Sequence, residues 1–325
     1  MIGDMQKWTP NVAGIIEHAR EIHPKTEVIS RLVSGEIHRT NYEEVCIRSR
    51  KLGSALEKDG VKKGDVVATL ALNTYRHLEM YYGISGMGAI THTLNFRLHP
   101  EQAIYIINHA EDKIIFVELP FVPILEGLQD KLATVEKYIV LCEEGEMPET
   151  SLKNAISYEE YIKDGDENYN WPELDDDAAC ALCYTSGTTG NPKGVLYSHK
   201  SNVIHAQAAL TAMTIKPDDS ILMVVPLFHV LAWGIPYFGP MNGLKLVMPG
   251  MQMEGEPLYE LIDKEDITLA FGVPTIWMGL LAYCRDNNKI LSSVKNTIIG
   301  GSALSLATLQ EFDEVHDVNV IHAWG

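Results

Sequence analysis

Apolar runs of only a few residues recur along this chain, and most are separated by helical patterns. A run that short is buried most readily as a strand. Strands divided by helices cannot close as tight hairpins, so they assemble into parallel sheets with helices on the faces. The runs are VVATLA (Val66–Ala71), AITHTL (Ala89–Leu94), KIIFVE (Lys113–Glu118), YIVLC (Tyr138–Cys142) and ACALCYT (Ala179–Thr185). Further on come ILMVV, LKLVM, ITLAF, NTIIG and NVIHA. Between them, Asn73 or Thr74 can cap a helix through Met80–Tyr82. Pro100 suits the first turn of a helix that puts Ile104 and Ile107 on one face, and a third helix is expected near Asn202–Met213. The expected fold class is therefore α/β, with mostly parallel sheets flanked by helices. The stretch Glu143–Asp177 is polar, acidic and rich in turn residues. It suggests a boundary between a first α/β subdomain, 1–175, and a second, 176–325.

Hydrophobic content of 46% and charged content of 22% are those of a globular protein. The net charge of −18 argues against a nucleic-acid surface and against broad contact with anionic lipid. Transient membrane contact and oligomeric state stay open. The five cysteines are odd in number and scattered, so no disulfide framework is expected, and a reducing cytoplasm fits. Cys180 and Cys183 have the spacing of half a zinc site, but no second pair exists, and they read as buried strand residues. No metal ligand set is assigned. The N-terminal residues lack a basic-then-apolar targeting pattern. Ser220–Leu244 has no charged residue and is long enough to cross a bilayer. Pro226, Gly234, Pro236, Gly239, Pro240 and Gly243 break it, so it reads as a buried strand and turns, without a transmembrane segment.

The stretch Tyr184–Val195, YTSGTTGNPKGV, suits neither an ordinary helix nor an ordinary strand. It follows a buried strand and is expected to precede a helix, which is where α/β proteins hold phosphate. Glycines let backbone N–H groups approach an anion closely, hydroxyls add neutral donors, and Lys193 adds a charge. Together these fit a polyphosphate such as ATP. The usual P-loop is ruled out, because Pro192 stands where its second glycine would be and Gly194 where its magnesium-binding hydroxyl would be. A flexible surface linker is the bland alternative, but it would not be clamped between an apolar strand and a helix.

YTSGTTGNPKGV is similar, residue for residue, to the phosphate-binding signature of the adenylate-forming enzymes, and the resemblance extends over nearly the whole chain. GDVVATLALNT and the segment from Gly83 to Glu118 resemble the family's N-terminal region. PLFHV (Pro226–Val230) looks like its aromatic acyl-site motif. FGVPTIW (Phe271–Trp277) and IIGGSALS (Ile298–Ser305) look like acyl-pocket and adenine-site segments. The likeness is greatest to medium- and long-chain fatty acyl-CoA synthetases. It implies activation of a fatty acid by ATP to acyl-AMP, followed by formation of the CoA thioester, with magnesium and coenzyme A as further requirements.

By the same resemblance, Thr185, Ser186, Gly187, Thr188, Thr189, Gly190 and Lys193 should cradle phosphates. Gly301, Ser302 and Ala303, with His322, Ala323, Trp324 and Gly325, should lie along the adenine. Phe228, His229, Trp233, Phe271, Gly272, Val273 and Pro274 should form the acyl pocket, with His229 at its mouth as the candidate gate. Trp324 replaces the family's usual tyrosine, and Ser302-Ala303 stands where Ala-Pro or Glu-Pro is common. Taken singly, His229 and Trp324 would be read as core or capping residues, and His199 as a solvated or capping residue at a helix start.

Amino-acid-activating relatives need a buried carboxylate for the substrate ammonium. None occurs from Ser220 to Leu244 or in Phe271–Trp277, so an apolar acid is expected. An aryl or short-chain acid, or a non-catalytic nucleotide- or lipid-binding protein, are the alternatives. HAWG looks like the start of a motif that normally continues. The chain is thus expected to be a truncated N-terminal domain, without the C-terminal lid domain and inactive by itself.

Overall fold

The computed structural model describes residues 4–5, 8–185, 191–213 and 215–324. The strands are β1 (Glu27–Arg31), β2 (Ile37–Asn41), β3 (Val66–Leu70), β4 (Ile90–Thr93), β5 (Ile114–Val117), β6 (Lys137–Val140) and β7 (Ala155–Ser157). They continue with β8 (Ala179–Tyr184), β9 (Gly194–Ser198), β10 (Ser220–Met223), β11 (Lys245–Met248), β12 (Leu269–Gly272), β13 (Asn296–Ile299) and β14 (Asn319–His322). The helices are α1 (Val12–Ile22), α2 (Tyr42–Lys58), α3 (Tyr75–Gly86), α4 (Pro100–Ala110), α5 (Val122–Leu128) and α6 (Tyr158–Ile162). After them come α7 (His199–Ala212), α8 (Ile235–Met241), α9 (Gly255–Lys264), α10 (Pro274–Asn287) and α11 (Leu306–His316).

Two seven-stranded sheets result. One has the order β7-β6-β5-β3-β4-β8-β9 and the other β14-β13-β12-β10-β11-β1-β2. Pairing is parallel except for β8 with β9 and β1 with β2, where short connections allow antiparallel neighbours at one edge of each sheet. Side-chain alternation sorts each strand between two layers. In β3, Val67 packs with Leu52, Leu56, Met80 and Ile84 of α2 and α3, whereas Ala68 and Leu70 pack with α4 and α5. In β10, Ile221 and Met223 face α1, α3, α7 and α8, whereas Leu222 faces α9 and α10. The layers run helix, sheet, helix, sheet, helix.

Helix α3 lies in the middle layer, with all twelve residues buried. It has no polar face because it has no solvent side. Its charged residues are paired instead: Glu79 accepts from Arg48 at 2.7 Å, and Arg76 donates to Glu159 at 2.9 Å. A buried charge left unpaired would be very costly. Three tyrosines of α2 and α3 bind the chain that connects β10 to β11 of the second sheet. Tyr42, Tyr81 and Tyr82 donate to the carbonyls of Leu244, Leu227 and Pro236.

Sheet membership departs from the boundary expected at residue 175. Strands β8 and β9 complete the first sheet, through Thr91 with Ala181 and His92 with Leu182, and β1 and β2 complete the second. The acidic stretch contains β7 and α6 and is elsewhere largely exposed, and its composition carries no information about which sheet the next strand joins. Cys180 and Cys183 are buried strand residues with free thiols. In α4, Pro100 is at the start and the buried pair is Ile106 and Ile107, with Ile104 half-buried against the same cluster. Ser220–Leu244 forms β10, a turn and the seven-residue α8. No helix among the described residues is long and apolar enough to cross a membrane.

Candidate functional site

The glycine- and hydroxyl-rich loop joins the antiparallel strands β8 and β9, so it is a hairpin loop, and α7 begins only after β9. The helix expected after the loop is α7, with β9 between the two. The base of the hairpin is closed by Thr185 and Lys193. The Thr185 N–H donates to the Lys193 carbonyl at 3.0 Å, and the Lys193 N–H donates to Thr185 Oγ1 at 3.4 Å. Both side chains are exposed. Ser186, Gly187, Thr188, Thr189 and Gly190 lie outside the described residues, as does Gly325.

One cleft opens against this hairpin and a larger one adjoins it. The smaller, of about 260 Å³, has Thr185, Tyr184 and Pro192 on one wall and Phe228, His229 and Val230 on another. The larger, of about 560 Å³, is lined by His229, Val230 and Trp233, by Phe271 and Ile298 at strand ends, by Gly300, Gly301, Ala323 and Trp324, and by one face of α7. His229 and Val230 border both, so the clefts meet there. Parallel strands β12, β13 and β14 deliver Phe271, Gly300–Gly301 and Ala323–Trp324 at their carboxyl ends, the usual ligand edge of such a sheet.

The segment from Met223 to Gly234 forms the divider. His229 N–H closes a turn on the Pro226 carbonyl at 2.9 Å. Val230, Leu231, Ala232 and Trp233 then follow with φ of 45°, 53°, 48° and 56°. Four successive non-glycine residues in the left-handed region store backbone strain, which concentrates at binding sites. This run carries Trp233 over the floor of the larger cleft. A Cβ at Gly300 would stand 3.1 Å from the Trp233 ring, so glycine lets the indole lie there without having to shift. Gly301, with φ of +83°, turns the chain at the rim. Burial holds the His229 imidazole below the usual histidine range, leaving it neutral at pH 7.

The candidate residues separate as follows. Gly301, Ala323 and Trp324 line the larger cleft, and Trp324 is 99% exposed on its rim. Ser302, Ala303 and His322 are exposed beside it, with the His322 ring against the Ser302 carbonyl at 3.4 Å. Of the acyl-pocket residues, Phe271 and Trp233 line the larger cleft and Phe228 the smaller. Gly272 and Pro274 are buried, Gly272 against Trp277 and Pro274 at the start of α10, and Val273 is half-buried behind Gly301. Sequence reasoning missed the α7 wall of His205, Ala208, Ala209, Ala212 and Met213. Its signal was small residues one turn apart, which mean little until a cleft is known to face them. His199 is buried, neither solvated nor capping its own helix, and its Nδ1 accepts the Val12 N–H at 3.3 Å.

The donor set suits a nucleotide in part. The tightly packed Gly300–Gly301 floor and the apolar wall suit a flat base, and exposed Thr185 and Lys193 suit phosphate. No carboxylate lines either cleft among the described residues, so no described side chain is assigned to a divalent cation.

A family model described as AMP-binding enzyme matches residues 16–325. A medium-chain-fatty-acid–CoA ligase of Ectopseudomonas oleovorans is 44% identical, over 100% of this chain and 60% of its own length. A 3-methylmercaptopropionyl-CoA ligase of Ruegeria pomeroyi is 43% identical, over 100% of this chain and 61% of its own. This chain thus spans about 60% of the length of the curated relatives it matches. The crystal structure of an anthranilate CoA ligase in complex with anthranoyl-AMP superposes with a TM-score of 0.89, covering 100% of this chain and 61% of that one. At 23% identity it bears on the fold alone.

Proposed function

Because the chain belongs to the AMP-binding enzyme family, we propose that it is the nucleotide- and acid-binding part of an AMP-forming fatty acid–CoA ligase. The observation that carries this reading is the meeting of the two clefts at His229–Val230. A hairpin-bounded space there, with Asn95, Thr185 and Tyr197 in its lining, adjoins a larger and more apolar one. An acid whose tail lies between Trp233, Phe271 and the alanines of α7 presents its carboxylate at the junction, beside the phosphates of ATP.

In the first step a carboxylate oxygen attacks the α-phosphorus, forming acyl-AMP and releasing pyrophosphate. In the second, the CoA thiol attacks the acyl carbon, forming the thioester and releasing AMP. The chain's own residues bind and orient the reactants. Thr185 and Lys193, with the hairpin loop between them, hold phosphate oxygens, and Gly300–Gly301 with Trp324 hold the base. Trp233 and Phe271 exclude water from the acyl chain. Neutral His229 stands at the junction without repelling or neutralising the carboxylate. Magnesium accompanies the phosphates, and no described residue is assigned to it or to CoA. The five buried free thiols support a reducing, cytoplasmic setting.

The larger cleft offers a mostly apolar wall to the tail, at roughly 0.8 kcal/mol per buried methylene. The test is acid-dependent pyrophosphate release by the full-length protein containing this chain. Substrates would run from acetate to palmitate, with 3-methylmercaptopropionate, benzoate and leucine. kcat/KM is expected to rise with chain length and then level off. A maximum at benzoate or leucine would overturn the fatty-acid reading. A maximum at 3-methylmercaptopropionate would select the short-chain alternative, which the 43%-identical relative favours.

A further inference from the structure

The divider is held from behind by the first sheet's half of the molecule, chiefly through one side chain. Asn73 lies between β3 and α3, is 2% exposed, and spends its whole amide on this segment. Its Nδ2 donates to the carbonyls of Met223 and Val225, both at 2.8 Å, and its Oδ1 accepts the Leu227 N–H at 2.8 Å. Met223 ends β10, in register with Phe271 of β12, and Val225 and Leu227 lie beyond the strand; all three residues are buried. Tyr81 donates to the Leu227 carbonyl, and Thr93 Oγ1 to the Phe228 carbonyl at 3.4 Å. His229 and Val230 come next.

No other side chain meets this need. Aspartate would turn a carboxylate toward two carbonyls, serine has one donor, and glutamine is a methylene too long. We propose that Asn73 is a positioning residue for acid activation: by fixing Met223–Leu227 it sets where His229 and Val230 stand between the two clefts. The proposal rests on the reading that acid and ATP meet at that junction. Asn73 touches neither reactant, and its effect falls chiefly on the acid side: the segment it holds walls both clefts through His229 and Val230, but Thr185 and Lys193, which hold phosphate, belong to the hairpin it does not touch.

The experiment is steady-state kinetics of pyrophosphate release on the full-length protein, with acid and MgATP varied separately. Asn73→Ala should lower kcat/KM for the acid by between about 10- and 100-fold, the scale of a 1 Å misplacement, and leave KM for MgATP within about twofold. Tyr81→Phe, which frees the other side of Leu227, should show the same acid-selective pattern more weakly and is the variant read if Asn73→Ala does not fold. Ser49→Ala is the control. It removes a fully buried hydroxyl that donates within the α2–α3 pair, far from the divider in the hydrogen-bond pattern, and should change neither constant. Equal shifts for acid and ATP, or lost thermal stability with unchanged kinetics, would overturn the positioning role. Wild-type protein with no acid-dependent release would instead overturn the functional reading. A crystal structure of Asn73→Ala then decides the geometric claim, which fails if Val225–Val230 stay in place.

Discussion

Glu118 shows how far a single buried group departs from its behaviour in water. It is 4% exposed, and burial raises its carboxyl from 4.5 to about 7, against the lowering effects of the Leu72 N–H and of Arg76. His77 and His199 are displaced the other way, from 6.5 to about 4, because burial disfavours the imidazolium. Between pH 4.5 and 7 the unfolded chain has lost the Glu118 proton while the folded protein keeps it, so this group's contribution to stability falls as pH rises. Between pH 6.5 and 4 the unfolded chain binds protons that the two folded histidines refuse, so their contribution falls as pH falls. Over pH 4.5–6.5 two groups oppose one, and the histidines win. Glu118→Gln removes only the opposing slope. The stability of Glu118→Gln minus that of wild type should grow by about 3 kcal/mol from pH 4.5 to above pH 7. Urea titrations at half-unit pH steps measure it, and a difference independent of pH would refute the assignment.

Among the elements, the left-handed turn before α8 is the least replaceable. Gly234 follows the four strained residues with φ of +83°, and a Cβ there would stand 2.5 Å from His205 Nδ1. Gly234→Ala should therefore cost about 1–3 kcal/mol and push His205 into the larger cleft. Gly127 offers the contrast. It lies in α5, is exposed, has no atom within 4 Å of its would-be Cβ, and has no positive φ. Gly127→Ala should be neutral or stabilising by about 0.5–1 kcal/mol. Thermal melts of the two variants compare a required glycine with an optional one. Equal effects would mean that the turn is not strained.

For the whole molecule, the question is whether two sheets make two folding units. The largest core cluster argues for one. It joins Tyr42, Tyr81 and Tyr82 with Cys180 of the first sheet and with Ile221, Leu246 and Phe271 of the second. The tyrosine hydroxyls add hydrogen bonds between the halves. Tyr82→Phe leaves the Pro236 carbonyl unpartnered and should cost about 1–3 kcal/mol. Urea unfolding followed by tryptophan fluorescence and by circular dichroism should give one coincident transition, displaced equally for both probes in Tyr82→Phe. Separate transitions would show that the sheets unfold independently.

Some of this was readable along the chain. The strands announced themselves because a short apolar run bounded by turn residues has few other fates, and β3, β5, β10 and β13 fall within or almost within their runs. That Tyr184–Val195 is neither an ordinary helix nor core was also readable, since glycines and hydroxyls at that density pack no apolar interior. Which sheet each strand joins was decided only in three dimensions. β8 pairs with β4, and β1 with β11, across separations that local pattern does not encode. The clefts were decided there too. Their α7 wall and the Asn73 clasp use alanine, methionine and asparagine, whose roles depend on what stands opposite them rather than on their neighbours in the chain.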